Sequence, residues 1–141
     1  AHVLRRACDH CITFGVDHED GGVYADVPMD RPTELTEKQF WQQAEVLIGM
    51  LDAFRLLGDS KYWRTFVNVL DFAFEKFIAM EAGGEWYERL DRQGNVLDGD
   101  LAHSWKISYH TVRSMIQTVR RLKVLVDQLS RADAEDRAAH T

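Results

Sequence analysis

Two stretches of this 141-residue chain present the same landmarks in the same order, and any fold must satisfy both. In the first, Gly21-Gly22-Val23-Tyr24 leads to Trp41-Gln42-Gln43-Ala44-Glu45. In the second, Gly83-Gly84-Glu85-Trp86-Tyr87 leads to Trp105-Lys106-Ile107-Ser108-Tyr109-His110. A period of roughly 60 residues, each holding two helices and a short strand-turn-strand, is the signature of a repeat architecture. In such an architecture each unit buries its apolar face on its neighbours. The copies differ where chemistry would sit. The first ends in a carboxylate, the second in a lysine, a tyrosine and a histidine.

The apolar periodicity fills in the elements. Leu4, Ala7, Cys8, Cys11 and Phe14 recur at helical spacing and predict a helix over 2–15, stopped at Gly15. A turn at Glu19–Gly22 precedes an expected strand over 23–27. Thr36 is the expected cap of a second helix carrying Phe40, Ala44, Leu47, Ile48, Leu51 and Phe54, ending near Gly58. Asp59 or Ser60 caps a third, with Trp63, Phe66, Val67, Leu70, Phe74, Phe77 and Ile78 on its apolar face. Gly83-Gly84 opens a hairpin whose expected arms are 86–90 and 96–97. A last helix starts near Tyr109 and runs past Leu129. The fold class is therefore all-α, built of antiparallel α-hairpin repeats with small β-hairpins in the loops. The repeat places both Trp41 and Trp105 at one end of the array. Residues 1–130 form the expected domain, and 131–141 a polar tail that extends the last helix or frays.

Composition excludes several partners. A net charge of −6 argues against nucleic acid and against an anionic membrane surface, since both want basic patches. No stretch approaches the roughly 20 apolar residues of a membrane span, and no leader pattern is legible. Arg120-Arg121 with Lys123 reads as a solvated helix face. Cys8 and Cys11 form a C-x-x-C, but no strand precedes them and no further zinc ligands stand at suitable spacing. They read as two small buried hydrophobes whose free thiols fit a cytoplasmic location.

Four segments together resemble the N-acylglucosamine 2-epimerase family, which includes cellobiose 2-epimerases and aldose–ketose isomerases. They are Trp41-Gln42-Gln43-Ala44-Glu45, Gly58-Asp59-Ser60-Lys61-Tyr62, Gly83-Gly84-Glu85-Trp86-Tyr87 with Leu90-Asp91-Arg92-Gln93-Gly94, and Trp105-Lys106-Ile107-Ser108-Tyr109-His110-Thr111-Val112-Arg113. The resemblance runs from about residue 3 to about residue 123. It implies part of an (α/α)6 toroid with a sugar in the cup. It also implies two histidines that exchange the proton at C2 of a reducing sugar, without a cofactor. By resemblance His110 is one of them. The other belongs to an H-x-x-E-W segment upstream of the helix with which this sequence opens; His2 and His10 lack that context. The chain thus looks like the C-terminal portion of such an enzyme. It is expected to self-associate or to pair with a chain carrying the missing helices.

The chemistry suits a histidine. The C2 proton is acidic in the open-chain aldehyde; its removal gives an enediol, and its return to the other face gives the epimer, or to C1 the ketose. An imidazole can both take and return it near neutral pH. Trp41 and Trp105 offer ring faces to a sugar or pack between helices. Glu45, one turn after Trp41, binds hydroxyls, orients a base or makes a buried structural bond. Lys106 stabilises enediolate charge or snorkels. Arg113 holds His110 or pairs with a carboxylate. Asp98, Asp100 and His103 stand on the expected rim. The ligand is then a mono- or disaccharide. The competing class is a non-catalytic helical module that binds carbohydrate or protein. A glycoside hydrolase ranks last, because it needs two facing carboxylates and only Glu45 is well placed.

Overall fold

Apolar residues at three- and four-residue spacing fold into four helices in a computed structural model that describes residues 1–139. Helix α1 spans His2–His10 and continues as a π turn over Cys11–Gly15. Helix α2 spans Phe40–Leu57, and α3 spans Ser60–Phe72 with a π turn over Ala73–Phe77. Helix α4 spans Tyr109–Ala139, so the polar tail is helical as far as Ala139; its last two positions, 140–141, lie outside the described residues. The core is Leu47, Leu51, Tyr62, Phe66, Val69, Phe77 and Leu90, all fully buried.

Helices α2 and α3 reverse direction at Gly58, which sits in the left-handed region at φ 71° where a side chain would be strained. Asp59 then caps α3 by accepting the Lys61 amide at 2.9 Å. Helices α2 and α4 lie side by side in the same direction. Glu45 meets His110 and Arg113 near their N-termini, and Asp52 meets Arg121 about two turns further on. The arginine run is therefore not wholly a solvated face. Arg120 and Lys123 are exposed, but Arg121 forms a two-bond pair with Asp52 at 2.8 Å because it points toward α2.

The strands are short. Lys38–Gln39 (β1), Arg89–Leu90 (β4) and Val96–Asp98 (β5) form an antiparallel sheet in the order β1-β4-β5. Ile78–Ala79 (β2) pairs with Glu85–Trp86 (β3) across the Gly83-Gly84 turn. Trp86 thus belongs to a separate hairpin from Leu90, because the glycine turn folds it back on Ile78. The strand expected over 23–27 is reduced to one bridge between Val16 and Val23. The Gln43 side chain takes the place of a strand partner, accepting the Val23 amide at 2.8 Å and donating to its carbonyl at 2.7 Å. Thr36 does not cap α2. Residues 38–39 pair with Leu90 and Arg89, which delays the helix to Phe40, with Gln39 extended before it.

Two buried lysines tie these loops to the core. Lys38 donates to the Asp17 carboxylate at 3.0 Å and to the carbonyls of Gly21 and Arg92. Arg92 also pairs with Asp17, so one carboxylate joins the first turn to the β4–β5 hairpin. Lys106 performs the corresponding task beside the site. Cys8 is buried and Cys11 half-buried, both as free thiols; burial pushes both up, Cys11 to about 11. Among the described residues no three His, Cys, Asp or Glu side chains stand close enough to hold a metal ion, and no helix is long and apolar enough to cross a membrane.

Candidate active site

The parallel packing of α2 and α4 sets the first turns of both helices side by side, and there four of the expected residues meet. Glu45 Oε1 lies 2.9 Å from Nδ1 of His110. Arg113 Nη1 donates to both Glu45 oxygens at 2.8 Å. The Trp41 ring packs on the His110 ring at 5.9 Å between centroids. The spacing explains the meeting. Trp41 and Glu45 are one turn apart on α2, as are His110 and Arg113 on α4.

The electrostatics fix the imidazole. Partial burial pushes the Glu45 carboxyl up, but the bonds from His110 and Arg113 outweigh it and hold the group below the usual glutamate range. Glu45 is therefore ionised near neutral pH and can only accept hydrogen bonds. Nδ1 of His110 must carry the proton it shares with Glu45. In the neutral ring this leaves the Nε2 lone pair free to act as a base. Arg113 in turn is held above its ordinary value by Glu45. His110 and Glu45 are each 35% exposed at the side chain, so the pair stays open to a ligand.

Two further rings complete the cluster, and sequence reasoning missed both as site residues. Tyr109 stands edge-on to His110 at 5.1 Å and lies under the Arg113 guanidinium at 5.8 Å. Phe40 is buried and approaches His110 edge-on at 6.3 Å. The signal for Phe40 was adjacency to Trp41; Tyr109 stood beside His110 in the second landmark and in the family-like segment.

The remaining candidates lie differently. Trp41 is 41% exposed, whereas Trp105 is 90% exposed on the loop before α4 and packs little. Lys106 is turned inward and donates to the carbonyls of Trp86, Asp100 and Leu101, which uses its three N–H bonds. It offers no free donor to an enediolate, because its head is buried under the loop. His103 and Asp98 brace the loop before α4. His103 Nδ1 accepts the amides of Trp105 and Lys106, and Asp98 accepts that of Asp100. A separate cleft of about 450 Å³ runs along α4 past Tyr109, Val112, Arg113 and Ile116, sharing Tyr109 and Arg113 with the cluster but not His110.

Known proteins resemble this chain in sequence and in fold. N-acylglucosamine 2-epimerase of Bos taurus is 29% identical over 138 residues, covering 95% of this chain and 32% of that protein. The cellobiose 2-epimerase structure from Spirochaeta thermophila DSM 6192 matches with a TM-score of 0.70 at 26% identity, covering 88% of this chain and 30% of that one. A crystal structure of D-mannose isomerase matches with a TM-score of 0.73 over 83% of this chain and 30% of the other; at 22% identity this is likeness of fold. The chain thus spans about a third of the length of these proteins. The family model described as N-acylglucosamine 2-epimerase matches residues 3–114, which include the whole Trp41–Glu45–His110–Arg113 cluster, and the chain belongs to that family.

Proposed function

We propose that this chain carries one half of the proton-transfer site of a sugar 2-epimerase or aldose–ketose isomerase. The observation that carries the reading is the His110–Glu45 contact, which leaves Nε2 as the free base. Nε2 takes the C2 proton of an open-chain reducing sugar while the C2–H electrons form the enediol double bond and the aldehyde oxygen takes up a proton from water. A proton returned to the opposite face of C2 gives the epimer; one returned to C1 gives the ketose. Glu45 steadies the imidazolium formed in between, as a carboxylate does behind any histidine base. Arg113 keeps that carboxylate ionised. Trp41 offers an apolar ring beside the reacting carbon, and Trp105 an exposed contact at the rim of a mono- or disaccharide site.

Epimerisation needs a second base on the other sugar face, and a second histidine in the remaining two-thirds of a family-length protein would supply it. In this reading residues 1–130 are part of an (α/α)6 toroid, with α2 and α4 in the inner ring and 131–141 as a polar tail. Support comes from α4 itself, whose Tyr109, Val112, Ile116 and Val119 are exposed at alternating three- and four-residue spacing, with Val126 two turns further along the same face. That stripe is the seam another helix would cover, whether from further toroid helices or a second copy. The test mixes the chain with a family segment that contains the H-x-x-E-W histidine and supplies a reducing disaccharide or N-acylhexosamine. Epimer should form with both pieces and not with either alone. No product from the reconstituted pair would refute the catalytic reading and leave a sugar-binding module.

A further inference from the structure

Lys106 is 2% exposed, yet among the described residues no carboxylate lies within salt-bridge distance of its ammonium. Its three acceptors are neutral backbone carbonyls from two parts of the chain: Trp86, which ends β3, and Asp100 with Leu101, which follow β5. The ammonium also lies 5.0 Å from the centroid of the Phe40 ring. Phe40 in turn packs edge-on against His110. Burial pushes Lys106 below the usual lysine range, while Glu85, Glu88, Asp100 and Asp98 pull the other way.

The surrounding loop is closed on itself. His103 donates its amide to the Lys106 carbonyl at 3.2 Å, and its ring accepts the amides of Trp105 and Lys106. Trp86, the deepest anchor, is buried and stacked on Phe77. Only a lysine suits the centre of this cage. Its compact head can aim three donors in three directions, whereas a guanidinium is a planar fork.

We propose that Lys106 is a positioning residue of the sugar site: its ammonium clasps the 100–107 loop to the core and so sets the stance of Trp105 and His110 without touching substrate. The role in sugar binding rests on the proposed function above; the role in holding His110 does not. Without the ammonium, three buried carbonyls lose their donor and the loop is free to lift. Helix α4 then starts from an unanchored segment, and the Phe40 face beside His110 is no longer covered.

The test compares the intact chain with Lys106→Met and Lys106→Gln, and with Tyr62→Phe as a control that removes a hydrogen bond to Asp9 elsewhere. Amide hydrogen exchange, His110 ring 15N signals and the dissociation constant for a reducing sugar are measured on each. In Lys106→Met the amides of residues 105 and 106 should exchange at least about 30-fold faster, while those of α2 and α3 keep their protection. The His110 Nδ1–H signal should broaden or vanish, and sugar binding should weaken about tenfold or more. Lys106→Gln, which keeps two donors, should lie between, and it carries the test if Lys106→Met does not fold. Tyr62→Phe should lower stability without moving the loop or the His110 signal. Changes in exchange and His110 signal with no sugar binding by the parent chain would uphold the clasp and sink the sugar site. An unchanged His110 signal and loop exchange in both Lys106 variants would overturn the proposal.

Discussion

Replacing Glu45 by glutamine tests the site at its most sensitive point, because it changes one atom's role and almost no volume. Glu45 now accepts one bond from His110 at 2.9 Å and two from Arg113 at 2.8 Å. A glutamine has one carbonyl oxygen, and the Arg113 guanidinium, as the charged donor, should claim it. The amide NH2 then faces Nδ1 of His110 and donates to it, which forces the ring proton to Nε2. The free base is lost although every heavy atom stays near its place. One neutral hydrogen bond of about 0.5–1.5 kcal/mol then favours the unreactive tautomer, which lowers the reactive fraction by about two- to tenfold. The imidazolium formed during proton transfer also loses its carboxylate, and the combined loss in rate should reach about 10²–10⁴-fold. Ring 15N shifts in histidine-labelled protein read the tautomer directly, and C2 hydrogen exchange of a sugar reads the rate. The parent chain should show Nδ1 protonated and Glu45→Gln should show Nε2 protonated. A glutamine variant that keeps Nδ1–H and its exchange rate would refute the reasoning.

Other outcomes follow from the same geometry. Asp17 is 1% exposed and faces Lys38 and Arg92, so Asp17→Asn leaves Lys38 buried without an anion. It should cost about 3–5 kcal/mol, seen as a lower urea midpoint at unchanged slope. Burial pushes the Asp17 carboxyl up, but Arg92 and Lys38 outweigh it and hold it far below its unfolded value of about 3.9. Its contribution is therefore full above that unfolded value and is lost as pH falls toward the folded one; acid titration of the urea midpoint should show this loss in the parent and not in Asp17→Asn. Gly22→Ala should destabilise more than Gly58→Ala in thermal melts. Both glycines have positive φ, but a Cβ on Gly22 would fall 2.7 Å from a Phe72 ring carbon, whereas Gly58 faces open space. The Gly58 variant should cost only about 1 kcal/mol. Ile116→Lys should leave melting unchanged and abolish any self-association or capture of added toroid helices seen by sedimentation, since Ile116 lies mid-stripe on an exposed face of α4.

The helices were legible because their apolar residues keep a period that water enforces, and Gly58-Asp59 announces the α2–α3 turn in two residues. The pairing of Glu45 with His110 was half legible: the repeat put their neighbours Trp41 and Trp105 at one end, but only the parallel packing of α2 and α4 makes them partners. The two-residue strands were not legible, since Lys38–Gln39 is too short to show alternation. The expected strand at Val23 failed for a specific reason, the Gln43 amide, which satisfies the backbone from a helix. Lys106 was misplaced because the fate of its ammonium is decided by carbonyls of Trp86, Asp100 and Leu101, and a carbonyl leaves no mark on sequence. Trp41 and Trp105 look equivalent along the chain, but one begins a packed helix and the other rides a loop.

The claim that His110 is a working base has one direct measurement. The chain alone is incubated with a reducing sugar in deuterated water, and deuterium at C2 and the configuration there are followed by NMR. A single base can take and return the proton on one face only, so deuterium should enter C2 with the starting configuration retained. The incorporation should disappear in His110→Asn, which keeps a polar side chain but no base. No incorporation by the parent chain, or incorporation that survives His110→Asn, would contradict the account.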